Sequence, residues 1–200
     1  TVKTRRRQIL AYNNKKGVDI SKIIISGKVK NQINSIKYFI KNRDDKKNFN
    51  KDISQIKRFK KEIKQIEGDS IDEVRGKIFA AEGRASNVYW NILKDILSKH
   101  SNFKGREHRG STCPVNSMLN YGYAVLLSKV WNAVDRAGLE PFAGFLHTDR
   151  PGKPSLVLDF IEEFRQIVVD RAVVGIVNQG YNIELKNGRL NKTTKNLKYS

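Results

Sequence analysis

Cysteine occurs once, at Cys113. This excludes an intrachain disulfide and any cysteine-rich zinc site. No base is paired with that thiol in the sequence, so Cys113 reads as an inert small side chain rather than a nucleophile. Long apolar runs are also missing: nothing approaches the roughly eighteen residues that a membrane-spanning helix requires. No signal peptide precedes the first charges. The expectation is a soluble, cytoplasmic chain, and a start at Thr1 is that of a fragment, a processed chain or a trimmed one. There is no internal repeat, no glycine-rich phosphate loop and no Gly-x-Ser-x-Gly.

Acid is scarce. Lys and Arg total 39 against 20 Asp and Glu, a net charge of +19 on 200 residues. The excess is concentrated in residues 1–66, which hold twenty basic and five acidic side chains. A field of that sign attracts polyanions, and phosphate neutralisation makes such binding steeply salt-dependent. An anionic membrane surface is the competing partner. The basic segments, however, lack the Trp/Phe/Leu face of an interfacial helix. Charge therefore points to nucleic acid and not to a membrane.

What remains is mainly helical. Residues 1–13 form a short basic segment of undecided form around Arg5, Arg6 and Arg7, broken at Gly17 and Asp19. From Ile20, the positions Ile23, Ile24, Ile33, Ile36 and Ile40 suit a helix interrupted at Gly27. Residues 42–50 read as a connection. Ile53, Ile56, Phe59, Ile63 and Ile66 mark an amphipathic helix with lysines on its wet side. A capping box from Ser70 to Glu73 opens a long helix that keeps its period to about Ser98. Residues 99–113 are a polar loop and a candidate substrate grip, through Lys104, Arg106 and Arg109. Pro114 starts the next helix, which Gly138 closes. A last helix runs over 155–177, and Asn187-Gly188 gives 181–190 hairpin character. The expected architecture is a multi-helix domain of two parts, a basic helical part over 1–66 and a second part over 69–200, with a possible short β-hairpin near the C-terminus.

Residues 144–171 concentrate the chemistry. His147 stands in a Gly/Pro-punctuated loop, and the following helix carries Asp159, Glu162 and Glu163 in its first turns. Asp159 and Glu162 are three apart and share a helix face. An imidazole and carboxylates gathered where a loop meets a helix are what a divalent-metal site needs, given a further acid from elsewhere. The bland alternative is a structural histidine with acids placed to complement a helix N-terminus. Glu82 lies in the earlier helix among Ala80, Ala81, Gly83 and Ala85, small neighbours that allow close approach. Its bland reading is a surface ion pair with Arg84, Lys77 or Arg75.

Four motifs occur in order: Glu82-Gly83-Arg84-Ala85-Ser86, Pro114-Val115-Asn116 through Tyr121-Gly122-Tyr123, Gly144-Phe145-Leu146-His147, and Ser155 through Arg165 with Val169-Asp170-Arg171. Together they resemble the CRISPR-associated integrase-endonuclease of spacer acquisition, the Cas-one family, over nearly the whole chain. The resemblance implies a helical domain with a single-metal site for Mg²⁺ or Mn²⁺, its ligands being Glu82, His147 and Glu162. Asp159, one turn before Glu162, matches an additional acid in a supporting catalytic role. The implied chemistry is phosphoryl transfer on DNA, by a 3′-hydroxyl in strand transfer or by water in cleavage. Arg84, Arg106, Arg109, Tyr121 and Arg165 are the expected DNA-facing groups.

The implied partners are double-stranded and branched DNA, a second copy of the full-length protein, and a small ferredoxin-like adaptation subunit. The chain departs from the family pattern in lacking the N-terminal β-rich dimerisation domain and in having Cys113 where an acid is expected. Two alternatives stay open: a casposon-type transposon integrase with the same site, and a non-catalytic helical DNA-binding module whose acids are structural.

Overall fold

The structure is a computed structural model that describes residues 1–41, 48–107, 113–181, 183, 185–186 and 189–191. Its helices are α1 (Val2–Tyr12), α2 (Lys15–Ile40), α3 (Asn50–Gln65), α4 (Ile71–Leu97), α5 (Pro114–Arg136), α6 (Ser155–Phe164) and α7 (Arg171–Asn178). One π-helical turn, Arg165–Asp170, joins α6 to α7, so the rod predicted over 155–177 is continuous but carries a wide turn in its middle. No helix among the described residues is long and apolar enough to cross a membrane.

α2, α3 and α4 pack on one another, and α2 also lies along α6. The isoleucine period explains the arrangement. Ile36 on α2, Ile56 and Ile63 on α3, and Ile71, Ile78 and Ile96 on α4 are fully buried. Each such side chain stabilises the fold by roughly 1.5–3 kcal/mol through removal of apolar surface from water. Truncating fully buried Ile78 to alanine costs about 2–5 kcal/mol.

Several boundaries differ from the expectation. Residues 2–12 form a full helix, and the break falls at Asn13 and Asn14 rather than at Gly17 and Asp19. The Asn14 side chain accepts from the Lys16 N–H and caps α2, which places Gly17 inside the first turn. A Cβ on Gly17 would lie 2.6 Å from the Ala11 carbonyl oxygen, so glycine is required there for the two helices to meet tightly. Gly27 does not interrupt α2, which runs unbroken through it with the Glu163 side chain lying over the glycine. The Ser70 capping box is not made: Ser70 makes no cap bond, and Glu73 accepts instead from the N–H of Asp69, one residue before the cap, at 3.0 Å. Gly138 closes α5 as predicted, with φ +70°.

The β-hairpin expected over 181–190 is not borne out as an element of the fold. Among the described residues, backbone pairing is confined to Leu185–Lys186 against Arg189–Leu190, too short to bury a face of its own. Asn187 and Gly188 lie outside the described residues, as do 192–200.

Candidate functional site

The loop that carries His147 is built before the site is. Buried Gln8 of α1 donates to the carbonyls of Glu140 and Ala143 and accepts from the Glu140 N–H, tying α1 to the start of that loop. Gly144 then passes directly over the first turn of α6. A Cβ there would lie 2.6 Å from the Ser155 carbonyl carbon and 2.8 Å from the Leu156 nitrogen. Ser155 Oγ accepts from the Gly144 N–H at 2.9 Å and donates to the Phe142 carbonyl at 2.5 Å.

Asp159, fully buried, completes the loop. Its Oδ2 accepts from the N–H groups of Phe145 and Leu146 at 2.7 and 3.0 Å, and its Oδ1 accepts from the His147 N–H at 2.9 Å. The same Oδ1 lies 2.7 Å from His147 Nδ1. With an acceptor-only carboxylate as partner, Nδ1 carries the proton and Nε2 presents its lone pair. Arg75 of α4 holds the loop from outside through a 2.9 Å bond from Nε to the Leu146 carbonyl, and the Phe79 ring meets the imidazole edge-on.

Glu82 and Glu162 are brought together from α4 and α6. Between them stands a residue that sequence reasoning did not single out: Lys28 of α2, whose Nζ is 2.6 Å from Glu82 Oε1 and 2.5 Å from Glu162 Oε2. Glu82 is thus paired, but not with Arg84, Lys77 or Arg75. Its Oε1 also accepts from Ser86 Oγ at 2.5 Å, which in turn accepts from Gln32. Arg165 reaches Glu162 Oε1 at 3.2 Å. Burial acts to raise the Glu162 carboxyl, yet the charges of Lys28 and Arg165 outweigh it and hold the group below its ordinary range. For Lys28, burial acts to lower the ammonium and the two glutamates outweigh it, leaving it raised. Glu162 Oε2 is buried and, although close to Lys28, has no aligned hydrogen bond.

Lys28, Gln32, Glu82, Trp90, Arg106 and Arg165, among others, line a cleft of about 360 Å³. Gln32 Oε1, Gln166 Oε1 and Arg165 Nε are also buried without a hydrogen bond among the described residues. Buried polar atoms are seldom left so. Beneath the cleft, buried Asp170 accepts from Tyr89 OH at 2.8 Å and Tyr123 OH at 2.5 Å. The Tyr123 ring supports two guanidinium groups, Arg165 at 4.8 Å and Arg106 at 5.4 Å from its centroid. Asn120 and Asn116 accept from Arg106, and Asn116 also donates to the Gly105 carbonyl, so these two polar residues of α5 position the loop.

Of the sequence-predicted residues, the fold therefore gathers Glu82, Arg165 and Arg106 around one cleft, ties Glu162 to it through Lys28 and Arg165, and seats His147 on Asp159. Arg84 turns toward α3, where it pairs with Glu62 and lies 5.1 Å over the Phe59 ring. Tyr121 is half-buried and does not line the cleft. Arg109 lies outside the described residues, as does His108. Among the described residues no three His, Cys, Asp or Glu side chains close to metal-holding geometry, the Lys28 ammonium being interposed. The donor set nonetheless fits a hard divalent ion. It offers two carboxylates, one of them with an unbonded buried oxygen, and an imidazole whose other nitrogen is fixed by an acid. Lys28, Gln32 and the Tyr123–Asp170 support were not found from sequence. Lys28 is one lysine among many, and only the seam between α2 and α6 distinguishes it.

Comparison with known proteins agrees with this architecture. The family model described as CRISPR associated protein Cas1 matches residues 1–197. A CRISPR-associated endonuclease Cas1 of Archaeoglobus fulgidus is 39% identical over 189 residues, 89% of this chain and 55% of the relative. A solved casposase bound to integration product is 26% identical with a TM-score of 0.79, covering 100% of this chain and 55% of its own. A chain of a Cas6-RT-Cas1–Cas2 complex shares the fold at 20% identity and a TM-score of 0.75, over 93% of this chain and 21% of its own. The chain spans about half the length of the curated relatives it matches. On the match along its whole length and on identity at this level, the chain belongs to the CRISPR-associated Cas1 family and carries that family's helical C-terminal domain.

Proposed function

We propose that this chain is the catalytic domain of a metal-dependent DNA endonuclease and integrase that inserts new spacer DNA into a CRISPR array, in the cytoplasm. The observation that carries the reading is the cleft itself. Two carboxylates from different helices, half-buried Glu82 and buried Glu162, face each other across a cation, and a histidine fixed through Nδ1 stands beside them. Acids held together this way, beside a wall of Arg106 and Arg165, suit a divalent ion bound to a phosphate.

Glu82, Glu162 and His147, through Nε2, would hold Mg²⁺ or Mn²⁺, with Asp159 orienting the histidine. When bound, the ion supplies charge stabilisation at the scissile phosphate and lowers the pKa of an attacking oxygen. Arg165 and Arg106 grip neighbouring phosphates, and Tyr123 and Asp170 hold both guanidinium groups in place. No protein nucleophile is needed: a 3′-hydroxyl gives strand transfer and water gives cleavage. The basic surface of residues 1–66 suits double-stranded and branched DNA. The complete protein is proposed to dimerise and to join a small ferredoxin-like subunit, in keeping with the Cas1–Cas2 complexes among its structural neighbours.

A casposon-type integrase would use the same site, and a casposase is among the structural neighbours. The 39% identity to a CRISPR-associated endonuclease favours the CRISPR reading. The test is Mn²⁺ titration calorimetry on the wild type and on Glu82→Gln, His147→Ala and Glu162→Gln, with folding checked by circular dichroism. One bound ion in the wild type and none in the folded variants is expected. Undiminished binding in all three would leave a helical DNA-binding module with structural acids.

A further inference from the structure

Lys28 is held where a cation bound to Glu82 and Glu162 would have to sit. Its side chain is 12% exposed, and its Nζ lies within 2.6 Å of one oxygen of each acid. The position is built rather than incidental. α2 lies against α6 here, and the Glu163 side chain folds over Gly27, where a Cβ would lie 2.1 Å from Glu163 Oε1. Asn31 Nδ2 donates to the Glu163 carbonyl at 2.8 Å, locking the helices together one turn further on. On the other side Gln32 donates to Ser86, which donates to Glu82, tying α2 to α4. Lys28 is therefore wedged between the two helices that supply the acids, with its ammonium at the inner edge of the cleft.

Two carboxylates held this close, one buried and one half-buried, would repel each other and be costly to desolvate without a counter-charge. A flexible four-carbon stem bearing a compact point charge can satisfy them and still leave, which a bidentate guanidinium would do less readily. We propose that Lys28 is a positioning residue that serves as the site's own cation before metal arrives, yields its place to the divalent ion, and then turns its ammonium into the cleft beside Arg106 and Arg165 to meet a phosphate. The proposal rests on the metal-site reading above.

The test reads metal affinity, stability and the accessibility of one amine. In Lys28→Met the thermal midpoint in chelator falls below that of the wild type and recovers with Mn²⁺. Calorimetric Mn²⁺ affinity in the variant rises at least about tenfold, since the ion no longer displaces a buried ion pair. In the wild type, acetylation of Lys28 followed by mass spectrometry is slow without Mn²⁺ and several-fold faster with it, while Lys60 and Lys104 are unchanged. This second measurement does not depend on the variant folding. Mn²⁺ binding by the wild type with no change in Lys28 acetylation, or equal or weaker affinity in Lys28→Met, overturns the proposal and leaves the metal site standing. No Mn²⁺ binding by the wild type or by Lys28→Met overturns both.

Discussion

His147 and Asp159 are joined twice, through the imidazole Nδ1 at 2.7 Å and through the histidine's backbone N–H at 2.9 Å, both to the same carboxylate oxygen. The acid thus fixes the position of the residue and the orientation of its ring at once. Its second oxygen secures Phe145 and Leu146, so one buried side chain organises the whole loop.

Asp159→Asn should therefore act on structure and site together. An amide places an NH₂ against backbone donors and loses charge-assisted bonds, a cost of roughly 2–4 kcal/mol. Urea unfolding measures that cost, and Mn²⁺ affinity should fall in the variant under conditions where it stays folded. Unchanged Mn²⁺ affinity in a folded Asp159→Asn would separate the acid from the metal site.

Tyr123 joins the buried acid to the cleft, and its two roles separate by substitution. Tyr123→Phe removes a donor from Asp170 and should destabilise by about 1–3 kcal/mol. It keeps the ring under Arg165 and Arg106 and should preserve DNA affinity. Tyr123→Ala should lose both. Denaturant melts together with fluorescence anisotropy on branched DNA distinguish the two variants.

Asp170 should make stability depend on pH. Burial pushes its carboxyl up to about 6, while hydrogen bonds from Tyr123 and Tyr89 and the charges of Arg165 and Arg106 pull downward without cancelling it. Because the folded-state value exceeds the unfolded one, the folded chain binds the proton more tightly between 3.8 and about 6. Its stabilising contribution is complete below that window and is lost as pH rises through it. Relative to Asp170→Asn, the wild type should lose on the order of 2–3 kcal/mol between pH 4 and pH 7. Urea unfolding at both pH values checks this, and a difference that does not vary with pH would contradict it.

The lysines between α2 and α3 should govern salt dependence. Lys22, Lys30, Lys60 and Lys64 line one groove, and burial together with the charges of Lys64 and Lys30 holds the Lys60 ammonium below its ordinary range. Lys60→Gln relieves that crowding and should leave stability within about 0.5 kcal/mol of wild type. DNA affinity should nevertheless weaken, and the slope of log affinity against log salt should flatten by about 1. Titrations between 50 and 200 mM salt, on the order of the range where such slopes are read, decide the outcome. An unaltered slope would place the DNA elsewhere.

Much of this protein is determined locally and is legible in its sequence. The spacing of isoleucines sets which helix faces meet, since a period near 3.6 leaves one stripe to bury. Pro114 and Gly138 bound α5 because each is tolerated at only one end of a helix. The excess of lysine in residues 1–66 fixes the sign of the surface field whatever the fold. Glu82, His147, Asp159 and Glu162 were selected as candidates by residue type, spacing and family resemblance.

Tertiary structure decided what those residues touch. Arg84 sits two positions from Glu82, yet it belongs to α3 and Glu62, because adjacent positions on a helix face different neighbours. Lys28 is indistinguishable in sequence from the lysines around it, and Gly27 reads there as a break. Only the close packing of α2 against α6 turns that glycine into a contact and that lysine into the bridge between two acids. The π-helical turn and the burial of Asp170 under two tyrosines were likewise beyond local reading. The burial of Asp170 arises from contacts between segments tens of residues apart, where the energy of an interaction depends on distance and solvent exclusion rather than on sequence spacing.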